Sequence, residues 1–281
     1  QIALIVRLSL PAILAQISHI VMQYIDAAMV GSLGADASAS IGLVSSTTWL
    51  FNGLCTAAVT GFTVQVAQRI GAGEEKRARD LMRIGFLCAV GVALALGVIG
   101  AGISPILPQI LGGKGEGVLH DAFWYFLIYA LALPVEQVCH VAGGMLQASG
   151  NMRIPSVLHV LMCVLDIVFN YIFIFMLGMG VAGAAIGTAL AHAVGAGLML
   201  FFLLVRSPLL HLRKGERLIW ERGYLKEGWR IAWPVALQQA VTNGAQIVST
   251  SIVAPLGNIA ISANSFAVTA ESLAYMPAFG I

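Results

Sequence analysis

The chain has 281 residues, of which 59% are hydrophobic and 10% charged, with a formal net charge of +2. A soluble domain carries about 25% charged residues. That excludes a soluble enzyme or nucleic-acid binder, and so small a net charge says nothing about an ionic partner. Long apolar runs recur from end to end and predict an all-α membrane protein, a polytopic helical bundle. A β-barrel would show short alternating segments instead. The first apolar run is too long for a signal-peptide core, and further spans follow it, so no cleavable leader is expected. The four cysteines (Cys55, Cys88, Cys139 and Cys163) fall inside apolar runs without paired spacing and are read as small packing residues.

Eight spans are predicted, over 5–31, 38–66, 81–107, 122–146, 156–177, 181–205, 231–255 and 259–281. At 1.5 Å rise per residue, each is long enough for a hydrocarbon core of about 30 Å. Glycines punctuate their ends, among them Gly34, Gly73, Gly112, Gly150, Gly178 and Gly257. Pro11, Pro134 and Pro234 lie inside spans, where a membrane helix uses proline as a kink; Pro11 is the candidate hinge of the first span. Of the 15 Lys and Arg, Lys114 alone falls in an odd-numbered loop. The positive-inside rule therefore places the N-terminus and the even-numbered loops in the cytoplasm. The segment 206–230 is too polar to span. It is expected to be a cytoplasmic linker that can lie on the membrane surface through Leu218, Ile219, Trp220, Tyr224 and Trp229.

The first span returns in the seventh. An offset of 223 positions pairs Arg7 with Arg230, Pro11 with Pro234, Gln16 with Gln239, Gln23 with Gln246, Val30 with Val253 and Gly34 with Gly257. Six spans separate the copies, so both cross in the same direction. This is a parallel repeat about an axis along the membrane normal, a transporter design. The expected organisation is an N-terminal six-helix lobe, 1–205, the linker 206–230, and the start of a second lobe, 231–281. Only two spans of the second copy are present, so the chain is expected to be a fragment of a longer protein.

Four acids fall inside spans: Asp26, Glu136, Asp166 and Glu271. An ionised acid at the bilayer centre costs about 2.5–3.5 kcal/mol on insertion scales, so such residues face a cavity or a partner, or stay protonated. Helical depth places Asp26, Asn170, Thr188 and Tyr125 in one layer, with Asp166 one turn from Asn170 on the same face. This layer suits a proton or Na⁺: a buried Asp can load and release a proton, and a hard cation prefers oxygen ligands. Asp26 and Asp166 are the candidate coupling acids. Glu136, two residues after Pro134, either lines a wet kink or carries a function. Tyr129 and Glu271 are further cavity candidates. The span histidines His19, His140, His159 and His192 form no HxxxH or HExxH pair and are read as packing residues, with no metal site assigned to them. No phosphate-binding glycine motif is present.

Together these stretches resemble the multidrug and toxic compound extrusion (MATE) family. The resembling segments are Pro11 through Asp26 to MVGSLGADA, VAQRIGAGEEKRARD after span 2, LQASGNMRIPS before span 5, NYIFIFMLGMGVAGAAIGTALA across spans 5 and 6, and SLAYMPAFGI in span 8. The resemblance implies twelve helices in two six-helix lobes and export of cationic or amphipathic organic compounds in exchange for H⁺ or Na⁺. It also implies a first-lobe coupling site at Asp26, Tyr125, Asp166, Asn170 and Thr188, with Na⁺ possible at Asp26, Asp166, Asn170 and Thr188. On span 5 the order of Asp and Asn is exchanged relative to the family. This moves the carboxylate about 6 Å along the helix and favours a protonation switch. One branch of the family carries a Glu near Thr242; its absence points to the DinF-like branch.

The reading is therefore a monomeric secondary antiporter of a bacterial inner membrane. It would export an organic, cationic substrate by alternating access, with membrane lipid around it, no organic cofactor and no nucleic-acid partner. The alternative is a flippase of lipid-linked oligosaccharide or another amphipathic lipid, which calls for Arg or Lys in the cavity. No base lies deep in a span here. A membrane-embedded enzyme would need a nucleophile–base or metal arrangement at one depth, and none is evident.

Overall fold

The computed structural model describes residues 2–210 and 222–275; for residues 2–12, 14–16, 19, 222, 269 and 272–275 it describes the backbone alone. The chain forms α1 (Ile2–Gly31), α2 (Ala35–Gly71), α3 (Glu75–Ile103), a short α4 (Leu107–Ile110) and α5 (Glu116–Ala148). These are followed by α6 (Arg153–Tyr171), α7 (Gly180–Phe201), α8 (Arg222–Val253) and α9 (Asn258–Tyr275). No strand occurs among the described residues. Each predicted span falls on one long helix. Five of them (α2, α3, α5, and α6 and α7 with their C-terminal extensions) are long and apolar enough to cross a membrane. The protein is thus an all-α polytopic bundle.

The helix ends explain the differences from the predicted spans. α6 and α7 each finish in a π turn, Ile172–Met176 and Phe202–Arg206; Leu177 donates its backbone N–H to Ile172 O at 2.9 Å, five residues back. α4 occupies part of the loop after span 3, with Pro108 in its first turn, where the missing N–H costs nothing. α8 begins at Arg222, so the end of the stretch read as linker, from residue 222 onward, is helical. Tyr224 is buried in the core, whereas Trp229 is exposed and stacks on Trp233 at 5.6 Å. Leu218, Ile219 and Trp220 lie outside the described residues.

The repeat is visible in the backbone. Gly34, after α1, has φ 121° and ψ 173°; its partner Gly257, after α8, has φ 107° and ψ 171°. Glycine adopts this region without a Cβ clash, so one turn geometry is built twice. The following helices α2 and α9 touch near their starts: Asn258 Nδ2 donates to Asp36 Oδ1 at 2.8 Å and Ser262 Oγ to Ala35 O at 3.1 Å.

Three apolar clusters form the core among the described residues, and two of them are large. One joins α2, α3, α5, α6 and α7 around Phe62, Leu81, Met145, Met162 and Met199, and reaches Tyr224 of α8. The other joins α2, α3 and α5 around Leu43, Phe51, Phe126 and Leu133, and reaches Ala254 and Ile261. Without a hydrophobic drive between helices in lipid, close approach depends on small residues. Pro134 lies inside α5 and cannot donate to Ala130 O; α3 presses Gly97 there, and a Cβ on Gly97 would stand 2.7 Å from that oxygen.

The polar end of the bundle is tied by charge. Arg79 is buried, donates to Leu209 O at 3.3 Å and lies 3.5 Å from Glu75. Glu74, in the α2–α3 turn, pairs with Arg77 at 2.8 Å and Arg69 at 2.9 Å. These guanidiniums hold its carboxyl below the usual carboxylate range.

Candidate functional site

α1, α6 and α7 build the centre of the site. Asp26 near the end of α1 and Asn170 near the end of α6 are 144 residues apart, yet Asn170 Nδ2 donates to Asp26 Oδ1 at 2.7 Å. The same amide nitrogen donates to Asp166 Oδ2, one turn earlier on α6, at 3.2 Å. Its two hydrogens are thus spent on two carboxyls. Asp166 and Asn170 are both 0% exposed, while Asp26 is half-buried at the edge of a cavity. Thr188 of α7 stands next to the Asp166 carboxyl and lines that cavity.

The packing that sets this amide is specific. Asn170 rests on Gly187 of α7, and a Cβ there would collide with Asn170 Oδ1. About two turns of α7 on, Gly195 faces Met162 of α6 in the same way. The α6–α7 contact therefore fixes which way the amide points. Asn170 Oδ1 and Asp166 Oδ1 are buried without a hydrogen-bond partner among the described residues. A proton or a small cation is what such orphaned acceptors lack. Gly187 crowds Asn170 Oδ1, and the N–H side of the amide faces the carboxyls.

The cavity has a volume of about 340 Å³ and is walled by α1, α2, α5, α7, α8 and α9. Its size falls in the range of small-molecule sites. Tyr125, Tyr129 and Glu136 of α5 line it. Tyr129 donates its hydroxyl to Thr48 O at 3.0 Å, and Asn52 Nδ2 donates to Glu136 Oε1 at 2.8 Å. α8 contributes Thr242, Asn243, Gln246 and Thr250, all uncharged. Among the described residues that line the cavity, Asp26 and Glu136 are the carboxylates, and no Lys or Arg is present. Its polarity is acidic.

Two candidates from the sequence stand apart from this arrangement. Glu271 is exposed and is not among the residues lining the cavity. Pro11 lies within α1, but its side chain lies outside the described residues.

Sequence reasoning did not single out Asn52 and read His192 as a packing residue. His192 lines the cavity, and its Nδ1 lies 2.9 Å from Thr188 O. A carbonyl only accepts, so Nδ1 carries the hydrogen and Nε2 remains an acceptor in the neutral ring. The signal for Asn52 was available: Ser38, Ser45, Thr48 and Asn52 follow helical spacing and line the cavity on one face of α2. Among the described residues, no group of three or more His, Cys, Asp or Glu is placed to hold a metal ion.

Comparison with known proteins agrees with this architecture. The chain is 29% identical over 287 aligned residues to the "Probable multidrug resistance protein NorM" of Thermotoga maritima, covering 99% of this chain and 60% of that protein. It is 21% identical over 279 residues to an FAD transporter of Shewanella oneidensis, covering 96% of this chain and 60% of the relative. The chain thus spans about 60% of the length of these relatives. A solved outward-facing multidrug resistance MATE family transporter of the MOP superfamily superposes with a TM-score of 0.88 at 23% identity, covering 98% of this chain and 61% of that structure; the likeness shows a shared fold. The family model described as MatE matches residues 11–172, more than half of the sequence, and the chain belongs to the MatE family.

Proposed function

We propose that this chain forms the N-terminal lobe, 1–205, the cytoplasmic linker, 206–230, and the beginning of the second lobe, 231–281, of a monomeric secondary antiporter. It acts in the inner membrane with its N-terminus in the cytoplasm and exports organic cations in exchange for H⁺. The observation that carries this reading is the hydrogen-bonded Asp26–Asn170–Asp166 group at the edge of an acid-lined cavity without Lys or Arg.

The coupling follows from the hydrogen bonds. A proton arriving from outside neutralises Asp26 and weakens the charge-assisted bond from Asn170, which is about twice as strong to an ionised as to a neutral acceptor. That bond ties α1 to α6. Once weakened, it lets α1 re-pack or bend near Pro11, narrows the cavity and displaces the cargo. Rocking of one lobe against the other completes the cycle. Na⁺ would have to ligate Asp26, Asp166, Asn170 and Thr188, and the orientation of the Asn170 amide supports H⁺ instead.

The relative named as an FAD transporter suggests a second cargo. FAD carries a pyrophosphate, and an acid-lined cavity without Lys or Arg opposes it, as it opposes a pyrophosphate-linked lipid. Transport of a fluorescent organic cation by the complete protein in proteoliposomes tests the reading. A pH gradient should drive efflux in wild type, and Asp26→Asn should abolish the gradient dependence. Efflux driven by Na⁺ alone would overturn the proton assignment. Efflux indifferent to both gradients would overturn the antiporter.

A further inference from the structure

The two carboxylates of the cavity sit at different ends of one helix face. Tyr125, Tyr129, Ala132 and Glu136 follow the helical repeat along α5, and all four line the cavity. Tyr125 packs against the apolar cluster that holds Val30, one turn from Asp26 on α1, and Glu136 lies eleven residues further along α5, or about 16 Å. One acid, Asp26, is bound by the amide that also holds Asp166. The other, Glu136, stands alone.

Glu136 is held but not neutralised. Asn52 Nδ2 fixes Oε1 at 2.8 Å and leaves Oε2 without a hydrogen-bond donor among the described residues. An amide donor orients a carboxylate without cancelling its charge. The neighbouring phenol cannot supply its proton to Glu136, because Tyr129 spends it on Thr48 O. Across the cavity α8 offers the uncharged Thr242, Asn243 and Gln246. A half-buried, oriented carboxylate with no counter-charge in a cavity of ligand size calls for a cation from elsewhere. Trp49 of α2 also lines the cavity, and aromatic faces attract an organic cation that sheds its water.

We propose that Glu136, oriented by Asn52, is the cargo-recognition carboxylate. The positive group of an aromatic organic monocation binds there, and its apolar body lies along Tyr129 and Tyr125 toward Asp26. Charge selectivity and ion coupling are thereby assigned to different residues at opposite ends of the cavity. The inference rests on the reading of the protein as an exporter of organic cations, and it goes further in separating the cargo's carboxylate from the proton's.

The test is equilibrium binding of two ions matched in size and shape and opposite in charge, tetraphenylphosphonium and tetraphenylborate, to the complete purified protein. Wild type should prefer the phosphonium. Glu136→Gln keeps the bond from Asn52 and should lose phosphonium affinity by about tenfold or more, while borate binding is kept or improved. Retained borate binding also reports that the variant is folded. Glu136→Asp, which keeps the charge, should keep the preference for the cation. Asp26→Asn mimics the protonated acid and should weaken the binding of both ions, but it should keep the preference for the phosphonium while removing the pH-gradient dependence of transport. Wild-type phosphonium affinity in Glu136→Gln, or loss of the preference for the cation in Asp26→Asn alone, would overturn this inference and leave the exporter reading standing. If wild type shows no preference between the ions, the organic-cation reading falls as well.

Discussion

The repeat lets two contacts be compared directly. α8 is the repeat counterpart of α1, and α9 that of α2, so the packing of α2 on α8 should be mirrored by α1 on α9. It is not. α2 and α8 meet along most of their length: Gly61 faces Gly228 O, Gly53 faces Gln239 and Asn243, and the Ser46 and Thr250 hydroxyls are 2.6 Å apart. Among the described residues α1 meets α9 at few places, with Gly31 near Phe266. Between α1 and α9 the cavity takes the room, lined by Gln23 and Asp26 on one side and Asn264 and Phe266 on the other. A contact made on one side and withheld on the other gives a symmetric design an asymmetric state, and the withheld side is where a ligand can lie.

The same substitution should have opposite signs on the two sides. Gly61→Ala places a Cβ 2.6 Å from the Gly228 carbonyl oxygen, a backbone atom that cannot swing away. It should cost about 1–3 kcal/mol and lower the thermal unfolding midpoint in detergent. Ser46→Ala removes one partner of the hydroxyl pair, but Thr250 still donates to Gln246 O at 3.0 Å; the loss should be about 1 kcal/mol, read in the same melt. Gly31→Ala meets Phe266 at 3.6 Å, an ordinary contact. It should raise stability by about 0.5 kcal/mol through lost freedom of the unfolded chain. An unchanged midpoint in Gly61→Ala would mean that the seam is as loose as the gap, and the comparison would fail.

Much of this was legible before the structure. Apolar runs ended by glycines located the eight long helices, because in lipid a helix ends where the chain can turn without stranding backbone donors. The offset joining Gly34 to Gly257 carried through to matching backbone angles. Helical depth placed Asp26, Asn170 and Thr188 in one layer, and the structure brings the first two into a hydrogen bond. What escaped depends on rotation about helix axes, which depth alone does not fix. The polar face of α2 turns Asn52 toward Glu136, and Ser46 toward α8. Glu271, at a depth suited to a cavity, is exposed. The start of α8 at Arg222 was hidden by composition, because charged residues read as loop also make good helix starts at a membrane surface.

The π turn at Ile172–Met176 begins just after Asn170. A π turn is an α-helix holding one residue too many, so it works as slack in the chain. A lineage could lose a residue there and recover a regular helix, with Asp166 and Asn170 still facing α1. The same deletion between Asp166 and Asn170 would turn one against the other by about 100° and undo the shared amide. Length variation in this family member is therefore affordable on one side of Asn170 and forbidden on the other. The boundary between drift and constraint runs through a single turn of α6.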